Sequence, residues 1–275
     1  MSNILHEIFE YKKQFIEKQK QIVSLEEMIC NAQQSKYQQN FNFVKAIEDK
    51  INAGQVAIIA EIKQASPSRG LIVKNSFVPA QIAKSYIEGE CACISVLTDE
   101  KYFMGSTQHL TDVAAVAAAT PLLQKDFVVD QYQIYEAKAL GASCILLIMS
   151  YLEINIAIKF ERLAHSLGLD VLCECHNLAE VELAQKHLQT RLIGINNRNL
   201  SNFLIDTNNT ANLFEAASKN NKIVVCESGI ETAEQIAKLT KIGCHSFLIG
   251  TSLITSPNPT QKIKELALGV FNKTP

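Results

Sequence analysis

One pattern recurs eight times along this 275-residue chain: a short apolar run followed by a segment of helical periodicity. The runs occupy residues 57–63, 92–97, 121–125, 144–149, 170–175, 191–196, 222–227 and 246–250. Helical segments follow at 79–87, 131–140 and 232–239 among others, and Gly89, Gly141, Gly168 and Gly243 stand near helix ends, as C-terminal caps do. Strands alternating with helices build a parallel sheet, and eight such units are the number that closes a barrel. The expected fold is therefore α/β, a single (β/α)8 TIM barrel. A doubly wound open sheet is the alternative, but no Gly-x-Gly-x-x-Gly follows any run, so the dinucleotide fingerprint is missing.

Residues 1–50 follow another rule. Ile4, Leu5, Ile8, Phe9 and Phe15 fit one stripe of a helix, with Glu and Lys on the other side. Ser24-Leu-Glu-Glu27 reads as a capping box that opens a second helix, and the polar stretch 33–40 reads as a loop. That many apolar residues need a partner, and the barrel mouth is the nearest one. We expect residues 1–50 to be a helical extension covering the catalytic face, beside the substrate entrance. Residues 51–275 form the barrel, and the two parts make one structural domain.

Bulk composition narrows the function classes. A net charge of −2, 47% hydrophobic residues and 20% charged residues describe an ordinary soluble protein, with no basic excess for nucleic acid or an anionic membrane. Glu7, Glu10, Lys12, Lys13, Glu17, Lys18 and Lys20 interrupt any signal-peptide core, and no apolar run nears the roughly 20 residues needed to cross a bilayer. A cytoplasmic monomer or weak homo-oligomer is expected. The eight cysteines read as buried thiols rather than a disulfide framework. Cys173-Glu-Cys175-His176 resembles a metal motif, yet the chain offers no second Cys/His pair, and Cys173 and Cys175 share a strand face that would meet the helix layer. No metal and no organic cofactor is expected.

The polar residues gather where such a barrel carries its chemistry, at the C-terminal ends of the strands. Run one ends in Glu61 and Lys63, run three in Lys125, run five in Glu174, run six in Asn196 and Arg198, and run seven in Glu227 and Ser228. A solvated surface would scatter charge along strand and helix alike. Lys and Glu sharing a partly desolvated cavity acquire shifted pKa values, as acid–base work requires. For Lys125, burial lowers the pKa while Glu61 or Glu174 pushes the other way. Ser66-Pro-Ser-Arg-Gly70, Ser228-Gly229 and Gly250-Thr-Ser252 are turns whose backbone N–H groups suit an anion, the last two after runs seven and eight, where barrels of this kind bind phosphate.

In this order the segments resemble the indole-3-glycerol phosphate synthase family. The resemblance runs from about residue 50 to residue 255 and includes the helical N-terminus. It is carried by Ile59-Ala-Glu-Ile-Lys-Gln-Ala-Ser-Pro-Ser68, Ile94-Ser-Val-Leu-Thr-Asp99 with Phe103-Met-Gly-Ser106, Gln124-Lys-Asp-Phe127, Glu174, Ile193-Gly-Ile-Asn-Asn-Arg-Asn-Leu200, Glu227-Ser-Gly-Ile230 and Leu248-Ile-Gly-Thr-Ser252. Two departures stand out: cysteines flank Glu174 where the family shows aliphatic residues, and Thr251 stands where a serine is common. The resemblance implies ring closure, decarboxylation and dehydration of 1-(2-carboxyphenylamino)-1-deoxyribulose 5-phosphate in tryptophan biosynthesis. It implies catalytic roles for Glu61, Lys63, Lys125, Glu174, Asn196, Glu227 and Ser228. Lys125 would protonate the carbonyl oxygen, Glu61, Lys63 and Glu174 would share the later steps, and Asn196, Arg198 and Glu227 would orient the substrate. Ser66, Lys63, Gly229, Gly250 and Thr251 would surround the phosphate, and Phe103, Phe127 and Leu200 would form the slot for the aryl ring. Two rivals remain: a Schiff-base aldolase using Lys125 or Lys63 as nucleophile, and a barrel kept for binding alone, which would have lost at least one strand-end group.

Overall fold

The structure, a computed structural model, describes residues 4–37, 42–74, 76–199 and 204–268. Strands form where the apolar runs predict them: β1 Ala57–Ile62, β2 Cys93–Leu97, β3 Leu122–Lys125, β4 Cys144–Ile148, β5 Asp170–Cys175, β6 Leu192–Asn196, β7 Ile223–Glu227 and β8 Ser246–Ile249. Each pairs in parallel with its neighbour in chain order. Ile59 of β1 faces Cys93 of β2 on one side and Leu248 of β8 on the other, which closes the barrel and removes the open-sheet alternative.

Side chains alternate across each strand, and the alternation divides the core in two. Ile58, Ala60 and Ile62 point outward with Cys173 and Cys175 and pack against the helix layer. Ala57 and Ile59 point inward with Leu123, Leu172, Val225 and Leu248 and fill the lower barrel. Along the inward positions the chemistry then changes. Ile59 gives way to Glu61, Leu123 to Lys125, Leu172 to Glu174 and Val225 to Glu227, so one ionisable layer sits on an apolar floor. The cysteines are all free thiols and buried apart from the exposed Cys30. Among the described residues no three His, Cys, Asp or Glu side chains are grouped to hold a metal ion.

The extension forms α1 (Ile4–Ile22), α2 (Leu25–Gln33) and α3 (Phe43–Asn52). α1 lies across the mouth, with Leu5, Ile8 and Phe9 buried and Phe9 stacked on Tyr151 at 3.6 Å between ring centroids. The buried stripe departs from its expected course. Stepping by four from Ile8 reaches Lys12 and Ile16, which are buried, whereas Phe15 turns aside and is half-buried beside Tyr11. The capping box of α2 forms, with Glu27 N donating to Ser24 Oγ and Ser24 N to Glu27 Oε2. Of the expected polar loop, Gln33 still belongs to α2, and residues 38–41 lie outside the described residues. α3 packs at the opposite end of the barrel. Its Phe43 and Ile47 join Ala57 and Cys93, and Val44 N donates to Asp170 Oδ2 at 3.0 Å, at the first residue of β5. The extension therefore covers the catalytic face with α1 and plugs the other end with α3.

Candidate active site

A cavity opens at the C-terminal ends of the strands. It encloses about 1180 Å³, counting the part open to solvent, against the roughly 300–1,000 Å³ usual for small-molecule sites. Glu61, Lys63, Ser66, Phe103, Lys125, Phe127, Glu174, Asn196, Arg198, Glu227, Ser228, Gly229, Gly250 and Thr251 all line it. Leu200, expected in the aryl slot, lies outside the described residues. Leu97, Leu146, Ile148 and Leu248 add apolar lining, and Ile4, Leu5 and Ile8 of α1 form part of the wall.

At the centre stands Lys125. Its Nζ is 3.6 Å from Glu174 Oε2, 3.6 Å from Glu227 Oε2 and 4.0 Å from Glu61 Oε2. Burial alone would lower the pKa of this ammonium, but Glu174, Glu227 and Glu61 together raise it above the usual lysine range. The upward push wins, and Lys125 carries its proton at every working pH. Glu61 also contacts the ammonium of Lys63 directly, as residues two apart on one strand face should. Burial works against the charge on Glu61, yet Lys63 and then Lys125 pull its pKa below the usual carboxylate value.

Two neighbouring carboxyls are driven apart in the opposite sense. Glu174 is opposed by burial but held well below the usual range by Lys125 and His176, and it accepts a 3.1 Å hydrogen bond from Asn196 Nδ2. Glu227 is pushed up to about 8 by burial and by the charge of Glu174, against the pull of Lys125. Its Oε1 is buried and has no hydrogen-bond partner among the described residues. At neutral pH these shifts favour an ionised Glu174 and a protonated Glu227. Carboxyls separated in this way divide into an anion and a donor.

The cavity has two chemically distinct ends. Near α1, Phe103 and Phe127 stand 6.0 Å apart between centroids, with Phe9 edge-on to Phe127 at 5.3 Å. Across the mouth lie the turns. Ser228 and Gly229 both have positive φ, 68° and 84°, a left-handed pair that bends the chain sharply after β7. Gly250 starts the short helix Thr251–Ile254, whose first N–H groups have no intrahelical partner. A Cβ on Gly250 would meet Glu61 Oε1 first and lie 2.8 Å from Lys63 Nζ, so a larger residue there would displace the ends of this ion pair. Beyond it, Arg198 Nη1 donates to Ser68 Oγ at 3.1 Å, in the loop after β1.

The sequence comparisons with known proteins agree on one family. The family model described as indole-3-glycerol phosphate synthase matches residues 5–266. Curated relatives of that name occur in Polynucleobacter asymbioticus, 43% identical, and in Paracidovorax citrulli, 42% identical, each alignment covering 97% of this chain and 99% of the relative. The chain belongs to the indole-3-glycerol phosphate synthase family. Solved structures resemble it in fold alone. A tryptophan synthase alpha chain from Legionella pneumophila has a TM-score of 0.62 at 12% identity, covering 84% of this chain and 98% of its own. A 3-hexulose-6-phosphate synthase has a TM-score of 0.62 at 13% identity, covering 78% and 99%.

Within this synthase-family site, three residues escaped the sequence reading. His176, weighed only as a metal ligand, sits behind Glu174, with Nε2 3.2 Å from Glu174 Oε1 and Nδ1 3.3 Å from Glu180 Oε2. Burial opposes its charge, but the two carboxylates raise its pKa to about 10, so it is an imidazolium that helps keep Glu174 ionised. Gly194, inward on β6, leaves space for Glu227, since a Cβ there would collide with the Glu227 carboxyl. The third is Lys12, buried under α1. Each looks ordinary in sequence because its partner comes from another element.

Proposed function

We propose that this family member closes, decarboxylates and dehydrates 1-(2-carboxyphenylamino)-1-deoxyribulose 5-phosphate, and that its strand-end residues divide the proton transfers. The observation that carries the reading is Lys125, an ammonium held among three buried carboxyls between an aromatic slot and a set of anion-binding turns. The aryl ring packs against the paired Phe103 and Phe127 rings, and the phosphate lies against Lys63, Ser66, Gly229, Gly250 and Thr251. Asn196, Arg198 and Ser228 hold the polar groups between.

As the ring carbon attacks the ribulose carbonyl, negative charge develops on oxygen. An alkoxide is a stronger base than a lysine amine, so Lys125 gives up its proton there despite its raised pKa. Carbon dioxide then departs, and its bonding electrons return to the ring. The carboxylate leaves as a neutral gas, so one proton per turnover is drawn from solvent, and it replaces the one Lys125 donated. In the last step Lys63 protonates the departing hydroxyl and Glu61 removes the carbon-bound proton that restores aromaticity. The contact between the two lets Glu61 return that proton to Lys63. Glu174, pinned ionised by Lys125 and His176, orients the lysine, and protonated Glu227 offers a donor to the substrate.

The extension and barrel act as one unit in this proposal, because α1 supplies part of the cavity wall. The phosphorylated substrate needs no nucleic acid or membrane partner. Free, mostly buried thiols suit a reducing cytoplasm, and the catalytic residues of one chain suffice for a monomer or weak homo-oligomer. Among the described residues no helix is long and apolar enough to cross a membrane.

Borohydride separates this reading from the Schiff-base alternative. With substrate present, acid catalysis by Lys125 leaves no reducible adduct, so the intact mass is expected to stay unchanged and activity to survive the treatment. A substrate-sized mass increase on Lys125 or Lys63 would replace proton transfer with covalent catalysis.

A further inference from the structure

Lys12 is 2% exposed, yet it carries a charge at a position that apolar residues fill one turn away on either side, at Ile8 and Ile16. Its Nζ lies 2.9 Å from Asp99 Oδ2 and 2.7 Å from Asp126 Oδ1, and both aspartates are buried. Well-packed apolar residues often replace a buried ion cluster without loss of stability, so seating α1 does not by itself require a lysine here. The two aspartates belong to different loops, one after β2 and one after β3.

Each loop ends in one wall of the aromatic slot. Asp99 Oδ1 accepts from Tyr102 N at 2.8 Å and Asp99 O accepts from Gly105 N at 2.7 Å, which brackets the helical turn Glu100–Phe103. Asp126 directly follows Lys125. Its Oδ1 accepts from Phe127 N at 2.7 Å, and its Oδ2 accepts from Thr98 Oγ1 at 2.6 Å, back in the other loop. A single ammonium thus joins the segment that holds Phe103 to the segment that holds Lys125 and Phe127.

We infer that Lys12 is a positioning residue that sets the placement of Phe103 against Phe127 and thereby the affinity for the substrate's aryl ring. The inference rests on the functional reading above. It makes the extension part of substrate recognition through two loops, in addition to the wall contacts of Ile4, Leu5 and Ile8. Two of the anion-binding turns follow β7 and β8, on strands that Lys12 does not touch, so the two ends of the cavity should respond differently to its loss.

The test compares Lys12→Met with the intact chain, using 2-(methylamino)benzoate as an aryl probe and inorganic phosphate as an anion probe, both titrated by calorimetry. The aryl probe should bind about tenfold more weakly, and KM for the full substrate should rise by a similar factor with a smaller change in kcat. Phosphate affinity should stay within about twofold, as expected for a site that does not share these contacts. Lys12→Arg, which can bridge both carboxylates, should restore aryl binding to within about threefold of the intact chain. Unchanged aryl binding in Lys12→Met overturns the inference. So does an equal loss at both ends, which would indicate general loosening. Where Lys12→Met does not accumulate folded, Lys12→Gln carries the same comparison, since its shorter, neutral side chain removes the charge that pairs with both carboxylates. Absence of turnover in the intact chain would instead count against the functional reading, and the two failures are distinguishable.

Discussion

Lys125→Met is expected to lose about 10²–10⁴ in turnover, the usual cost of removing a general acid, while still binding substrate through its phosphate. Methionine keeps much of the volume and removes both the proton and the charge. The fold should persist because each nearby carboxyl keeps another means of compensation: Glu227 already carries a proton, Glu61 keeps Lys63, and Glu174 keeps His176. Ring closure is the first chemical step, so neither carbon dioxide nor indole should form at a significant rate. A variant retaining more than about a tenth of wild-type turnover falls well short of the expected range, and Lys63 then becomes the better candidate for the ring-closing acid.

Glu61→Gln should fail later in the sequence. The amide cannot accept the carbon-bound proton or return one to Lys63, but Lys125 keeps Glu174 and Glu227 beside it. Ring closure and decarboxylation should therefore continue while dehydration slows by about 10²–10⁴. In a single turnover followed by stopped flow, carbon dioxide should appear well before indole fluorescence. Release of the two products in step, both slowed alike, would move Glu61 from the last step to the first.

The parts of the molecule that were legible in the sequence are those written in local periodicity. Each strand is a short apolar run, and each change from Leu, Ile or Val to Glu or Lys two residues later marks the level where the barrel floor ends and the cavity begins. For that reason Glu61, Lys125, Glu174 and Glu227 were found together, and the structure brings them into one cavity. Lys12 was not legible. Among Glu10, Lys13 and Glu17 it looks like one more charge on the solvated side of α1, and only the two aspartates from distant loops show that it is buried. His176 was hidden in the same way, since its role depends on Glu180 from the following helix as well as Glu174. The net direction of the Lys125 shift was also out of reach. It depends on three carboxyls from three strands, at distances that no spacing in the chain encodes.

Incubation of the purified 275-residue chain with 1-(2-carboxyphenylamino)-1-deoxyribulose 5-phosphate, in chelator-treated buffer, tests the central claim most directly. The account predicts that indole fluorescence will appear together with one equivalent of carbon dioxide per product, at a rate that added metal does not change. A folded protein that binds the substrate yet produces no indole fluorescence would contradict it.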